Sequence, residues 1–120
     1  MFTVVNYKDK NGKDEIKEYL YALAQKQNTK DARIKLNKIM EYIKQLETYG
    51  VAAGKPAIEK ITNTELWELR PASDRIIFSY WKDSTFVLLH HFVKKTQKTP
   101  AKEIEQAQRN LKYFRERYGE

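Results

Sequence analysis

Arg75-Ile76-Ile77-Phe78-Ser79-Tyr80-Trp81 is followed by Lys82-Asp83-Ser84 and then by Thr85-Phe86-Val87-Leu88-Leu89-His90-His91-Phe92-Val93. Both long runs are rich in β-branched and aromatic residues, the composition of strands. The connection between them is too short for a crossover, so the two strands are antiparallel neighbours. The same logic extends upstream. Ile61 to Arg70 reads as one strand ending in Leu66-Trp67-Glu68-Leu69-Arg70, and Pro71-Ala72-Ser73-Asp74 is turn chemistry. The three segments form an antiparallel meander.

Helices flank it. Ile16, Tyr19/Leu20 and Leu23 recur at helical spacing and predict a helix from about Asp14 to Gln27. A second helix runs from about Asp31 to Tyr49 on the stripe Ala32, Leu36, Ile39, Ile43 and Leu46, with Gly50 at its C-cap. The short link through Asn28-Thr29 makes the pair an antiparallel hairpin. Phe2 to Tyr7 is a short strand, and Val51 to Pro56 is a loop. Thr99-Pro100 has the cap-then-proline form of a helix start, and the last helix carries Ile104, Ala107, Leu111, Phe114 and Tyr118 on one stripe. The order β-α-α-β-β-β-α defines an α+β fold, and no repeat or linker divides residues 1–120 into more than one domain.

Composition narrows the function. The 120 residues include no cysteine, which excludes disulfide scaffolds, thiolate metal sites and cysteine nucleophiles and fits a reducing cytoplasm. No apolar run approaches the roughly 20 residues of a membrane span, and the N-terminal order, apolar then charged, is the reverse of a secretory signal. The net charge is +7 with a pI near 9.5, so an acidic partner is expected. The excess is spread along the chain rather than held in a tail; its densest cluster is Lys94-Lys95-Thr96-Gln97-Lys98.

Several chemistries are absent from the pattern. No glycine-rich phosphate loop or serine-nucleophile motif occurs, and no cofactor is implied. His90 and His91 are adjacent on a strand, point to opposite faces and cannot share a metal. The positive candidates lie on the meander. Arg70 ends one strand, Arg75 begins the next, and Lys94 and Lys95 end the third, so antiparallel order brings all four to one end of the sheet. His90 and Phe92 share a face with Lys94, and Glu68 lies on the Arg70 side of its strand.

Four converging cations suit a phosphodiester, because internal RNA cleavage needs a base for the 2′-hydroxyl, charge stabilisation of the crowded phosphate and an acid for the 5′-oxygen. Phe92 or Tyr80 could stack a base, and Lys55 and Lys60 could track the backbone. The alternative from spacing alone is that Arg70 pairs with Glu68 or Asp74 and the lysines only solubilise a strand end.

Leu66-Trp67-Glu68-Leu69-Arg70-Pro71, Arg75-Ile76-Ile77-Phe78 and Leu88 through Pro100 together resemble the RelE/HigB superfamily of toxins, in particular its phage-derived HigB-like branch. The likeness follows the element order of nearly the whole chain and is most specific over Leu66 to Ala107. It implies a RelE-like fold and the toxin of a type II toxin–antitoxin system. Such a toxin is a metal-independent endoribonuclease that cuts mRNA on the ribosome and leaves a 2′,3′-cyclic phosphate. Its partners would be a helix-turn-helix, HigA-like antitoxin, mRNA and the ribosome, with operator DNA reached only through the antitoxin complex. By position, the resemblance makes Arg70 and Arg75 phosphate clamps, Lys95 the stabiliser of the crowded phosphate, and Lys94 or His90 the acid or base. Lys98 and Phe92 join Lys55 and Lys60 as RNA contacts. The sequence departs from the superfamily in two places: Ile104 stands where RelE proteins carry a helix tyrosine, with Tyr113 too far along, and the C-terminus has no histidine. Two other functions are compatible with the fold: a ParE-like gyrase inhibitor and an RNA- or ribosome-binding module that does not cut.

Overall fold

A computed structural model describes residues Met1–Glu120. The elements are β1 (Thr3–Asn6), α1 (Glu15–Gln25), α2 (Lys30–Tyr49), a 3-10 turn (Gly50–Ala53), β2 (Ile58–Lys60), β3 (Trp67–Leu69), β4 (Asp74–Tyr80), β5 (Thr85–Val93) and α3 (Ala101–Tyr118). The fold is α+β, as the sequence predicts, and is compatible with a RelE-like fold. One mixed sheet runs in the order β1-β5-β4-β3-β2. The meander is antiparallel, and β1 joins it parallel to β5, Thr3 against Thr85 and Asn6 against Leu88.

The upstream part of the meander corrects the sequence reading. Ile61 to Arg70 is not one strand. Ile58–Lys60 and Trp67–Leu69 are separate antiparallel strands, paired Ile58 to Leu69 and Lys60 to Trp67. Between them Ile61 N–H donates to the Leu66 carbonyl, and Thr64 Oγ1 donates to the Ile61 carbonyl while accepting from Leu66 N–H. Asn63 sits at φ +62, where asparagine is tolerated. Thr62-Asn63-Thr64-Glu65 is thus a hairpin loop, and the Thr64 hydroxyl supplies bonds that the ladder would otherwise make.

The sheet separates two cores. On one face α1 and α2 pack Ile16, Leu23, Ala32, Ile39 and Leu46 against Ile58, Leu69, Ile76, Phe78, Phe86 and Leu88. On the other face α3 packs Ala107, Leu111 and Phe114 against Leu66, Ile77, Val87 and Leu89. The α2 stripe is core as predicted, with Leu36 and Ile43 at its half-buried edge. The α3 stripe stops earlier than its periodicity suggests, since Tyr118 is half exposed.

Local signals explain the helix ends. Asp14 caps α1 by accepting from Lys17 N–H at 2.9 Å. Gly50 has φ +60, and a Cβ there would lie 2.8 Å from the Phe2 ring; glycine is required both by the backbone and by the close approach. The predicted Thr99 cap is not formed. Pro100 occupies the N-cap position of α3, and the Thr99 hydroxyl is drawn away to Glu68 Oε2 at 2.8 Å.

Ile39 is fully buried where α2 crosses the sheet. Ile39→Ala is expected to lower stability by about 3 kcal/mol, read as a shift in the urea midpoint at unchanged m-value.

Candidate nucleic-acid interface and active site

Strand geometry places the four predicted cations at one end of the sheet. Arg75 is the second residue of β4 and pairs with Phe92 of β5. Arg70 follows β3 directly, and its N–H donates to the Ala57 carbonyl. Lys94 N–H donates to the Ser73 carbonyl at 2.7 Å, which ties the end of β5 to the Pro71–Asp74 turn.

Glu68 is the hub between them. It is buried, at 5% exposure. Its Oε1 lies 3.7 Å from Arg70 Nε and 3.9 Å from Arg75 Nε, and its Oε2 accepts from Thr99. Arg70 also pairs with Glu59. Arg75 Nη1 donates to the carbonyls of Ala72 at 2.7 Å and Asp74 at 2.8 Å. Burial pushes the Arg75 guanidinium below its ordinary value and the adjacent Arg70 charge does the same, against the opposing pull of Glu68 and Asp74. Lys94, Lys95 and Lys98 make no ion pair.

Two recesses open here. A cleft of about 290 Å³ is walled by Lys60, Glu68, Arg70, Gln97, Lys98 and Thr99. A much smaller one is lined by Arg75, Phe92, Lys94 and Lys95. Arg70, Lys60 and Lys98 therefore share the cleft, and Arg75, Phe92, Lys94 and Lys95 share its neighbour. Lys55 lies outside both, 3.7 Å from Glu59 Oε1. Lys60 Nζ is partly engaged, donating to the Thr64 carbonyl at 2.7 Å and lying over the Trp67 ring. Tyr80, at the far end of β4, takes no part; its ring packs on Phe86. No group of three or more His, Asp or Glu is placed to hold a metal ion.

The two histidines diverge, as adjacent strand residues must. His90 faces α3, stacks near Phe92 and donates from Nε2 to Glu103 Oε1 at 2.8 Å. It lines neither recess. His91 faces α1, stacks on Tyr19 with ring centroids 3.9 Å apart, and donates to Asp74 Oδ1 at 3.0 Å. A bulge between the Ile77 and Phe78 pairings, where Leu89 has no partner, sets this division. Tyr113 packs against Tyr7, away from the cleft.

Sequence reasoning left Glu59 and Thr99 out of the site and named Glu68 only as an alternative partner of Arg70, a pairing the structure contains. Glu68 carries a usable signal, a carboxylate between two apolar residues in a strand beside an arginine. Asp74, read as a turn residue and as an alternative partner of Arg70, is fully buried and makes no ion pair with Arg70. It accepts the Tyr19 hydroxyl at 2.7 Å as well as His91, with Lys35 Nζ at 3.9 Å. Burial pushes the Asp74 carboxyl up, but hydrogen bonds from His91 and Tyr19 and the Lys35 charge outweigh it and hold the group below its ordinary 3.8.

The α+β architecture is compatible with a RelE-like fold, and the family match places the chain in a class, the RelE/HigB-like toxin families. The chain belongs to the family of phage-derived Gp49-like proteins (DUF891), a family of that class, whose model matches residues 18–112. No curated protein matches the chain.

Because the folded state lowers the Asp74 pKa, its ionised form stabilises the fold above the ordinary value of 3.8, and that contribution disappears as pH falls through the lowered folded value. Asp74→Asn is expected to lose about 2 kcal/mol at pH near neutrality. The gap to wild type should narrow in acid below about 3.8. Urea midpoints of both proteins across that range measure it.

Proposed function

We propose that the chain is the toxin of a type II toxin–antitoxin pair and acts in the cytoplasm as a metal-independent endoribonuclease on mRNA at the ribosome. The observation that carries this is the pairing of two held arginines around Glu68 with three unpaired lysines on the same rim. The Gly-free cleft offers fixed cations for phosphates, and the lysines add charge that attracts a polyanion from a distance.

The chemistry assigned to the cleft is attack of the RNA 2′-oxygen on the adjacent phosphorus. The P–O5′ bond breaks, giving a 2′,3′-cyclic phosphate and a 5′-hydroxyl. Arg70 and Arg75 clamp the phosphate, and Lys95 offsets the negative charge that builds on its oxygens. Glu68, the carboxylate in the cleft wall, takes the 2′-hydroxyl proton, and Lys94, on the rim of the smaller recess, protonates the leaving 5′-oxygen. Lys94 is preferred to His90 because His90 is turned to Glu103. Phe92, Lys60 and Lys98 contact the RNA. The partners on this reading are mRNA, the ribosome and a HigA-like helix-turn-helix antitoxin.

Wild type, Lys95→Ala and the Arg75→Ala/Lys95→Ala double variant would be induced in cells without antitoxin, and new mRNA 5′ ends mapped. Codon-phased ends are expected with wild type and should fall by two orders of magnitude or more with Lys95→Ala, in line with loss of one transition-state donor at about 10²–10³. Lys95 is exposed, so this variant should keep the wild-type circular dichroism spectrum. Growth arrest without new ends would replace the nuclease by a binding inhibitor, whether of gyrase or of the ribosome.

A further inference from the structure

Behind the cleft, on the α1/α2 side of the sheet, lies a second polar cluster that the proposed chemistry does not use. Its centre is Asp74, the residue immediately before Arg75. Three elements reach the same carboxylate oxygen: Tyr19 from α1 at 2.7 Å, His91 from β5 at 3.0 Å and Lys35 from α2 at 3.9 Å. The Tyr19 and His91 rings stack, and Lys35 Nζ lies 5.9 Å from the centre of the Tyr19 ring. Asp74 Oδ2 is buried with no partner, so Oδ1 carries every bond that holds the side chain.

The other side of the same residue faces the site. The Asp74 and Ala72 carbonyls are the two acceptors of Arg75 Nη1. Ser73, between them, holds Lys94 through its carbonyl. Ala72 sits at φ +54, a costly conformation for alanine that persists only where its surroundings enforce it. The turn has one internal backbone bond, Asp74 N–H to the Pro71 carbonyl. The side-chain anchor beneath it therefore acts together with the Lys94–Ser73 bond in setting where its carbonyls point.

We propose that Tyr19 and His91 are positioning residues for Arg75. They fix the Asp74 side chain from below, the fixed turn presents the carbonyls of Ala72 and Asp74, and these aim the guanidinium at Glu68 and the smaller recess. The cluster touches no substrate; it acts through the turn. The role in RNA binding rests on the reading given under Proposed function, whereas the aim of Arg75 does not.

The test uses the whole chain with Tyr19→Phe, which keeps the ring and removes only the hydroxyl, and with His91→Gln, which keeps a donor. The arginine Nε–H signal of Arg75 is followed by NMR beside the backbone amides of β4 and β5. Tyr19→Phe is expected to shift that signal and speed its exchange with water about tenfold, with the strand amides of β4 and β5 unmoved; His91→Gln should do less. An unchanged Arg75 signal in folded Tyr19→Phe overturns the proposal. Binding to a fully 2′-O-methylated RNA decamer, which cannot be cut, is then measured against salt. A misaimed Arg75 should lower the slope of log Kd on log salt by about 0.7, the loss of one phosphate contact on a single strand. A merely less stable protein would bind with the wild-type slope, and that result with a folded variant counts against positioning. If wild type itself fails to bind the decamer while the Arg75 signal still moves, the positioning role stands and the RNA reading falls.

Discussion

The β4–β5 pair is the constraint on which the rest depends. Asp74 to Ser79 and Phe86 to Leu89 are buried on both faces, under α1 and α2 on one side and α3 on the other. Backbone donors and acceptors in such strands have no water to turn to, so they must pair with each other. A slip of one residue would send Ile76 and Phe78 to the wrong core and expose Ile77 to the α2 face. The register is thereby fixed, and with it the placement of Arg75 opposite Phe92, Asp74 opposite Val93 and Lys94 beside the turn.

The same burial decides how charge is handled. A guanidinium or carboxylate removed from water must be paired or hydrogen-bonded. Arg75 accordingly has two carbonyls and a nearby Glu68, and Glu68 has two arginines and the Thr99 hydroxyl. Lys95 and Lys98 face water, Lys94 is half-buried, and none of the three has an ion-pair partner. The cleft thus combines cations fixed before any ligand arrives with cations free to meet one, which is a sound division of labour for holding a polyanion.

The Leu89 bulge has a consequence out of proportion to its size. By adding one residue to β5 it directs His90 toward Glu103 of α3 and His91 toward Asp74 and Tyr19. Two adjacent histidines are each assigned a carboxylate on opposite faces. One neighbours the proposed site without entering it, and the other braces it from behind.

The meander, the helix hairpin, the last helix and the convergence of Arg70, Arg75, Lys94 and Lys95 were all legible in the sequence, because each rests on local periodicity or on a connection too short to allow another path. The split of the first meander strand was not, since the loop at Thr62-Asn63-Thr64-Glu65 is closed by a threonine hydroxyl inside a run that looks extended. Nor could spacing show that Thr99 abandons its cap for Glu68, that Arg70 also turns to Glu59, or that Tyr19, Lys35 and His91 meet on Asp74 across 55, 39 and 17 residues of chain. Sequence by itself determined the three helices, the two long meander strands and which cations gather at one end. Only the tertiary structure decided which carboxylate each charge faces, because a buried charge takes whichever partner the packing of distant elements brings within a few ångströms.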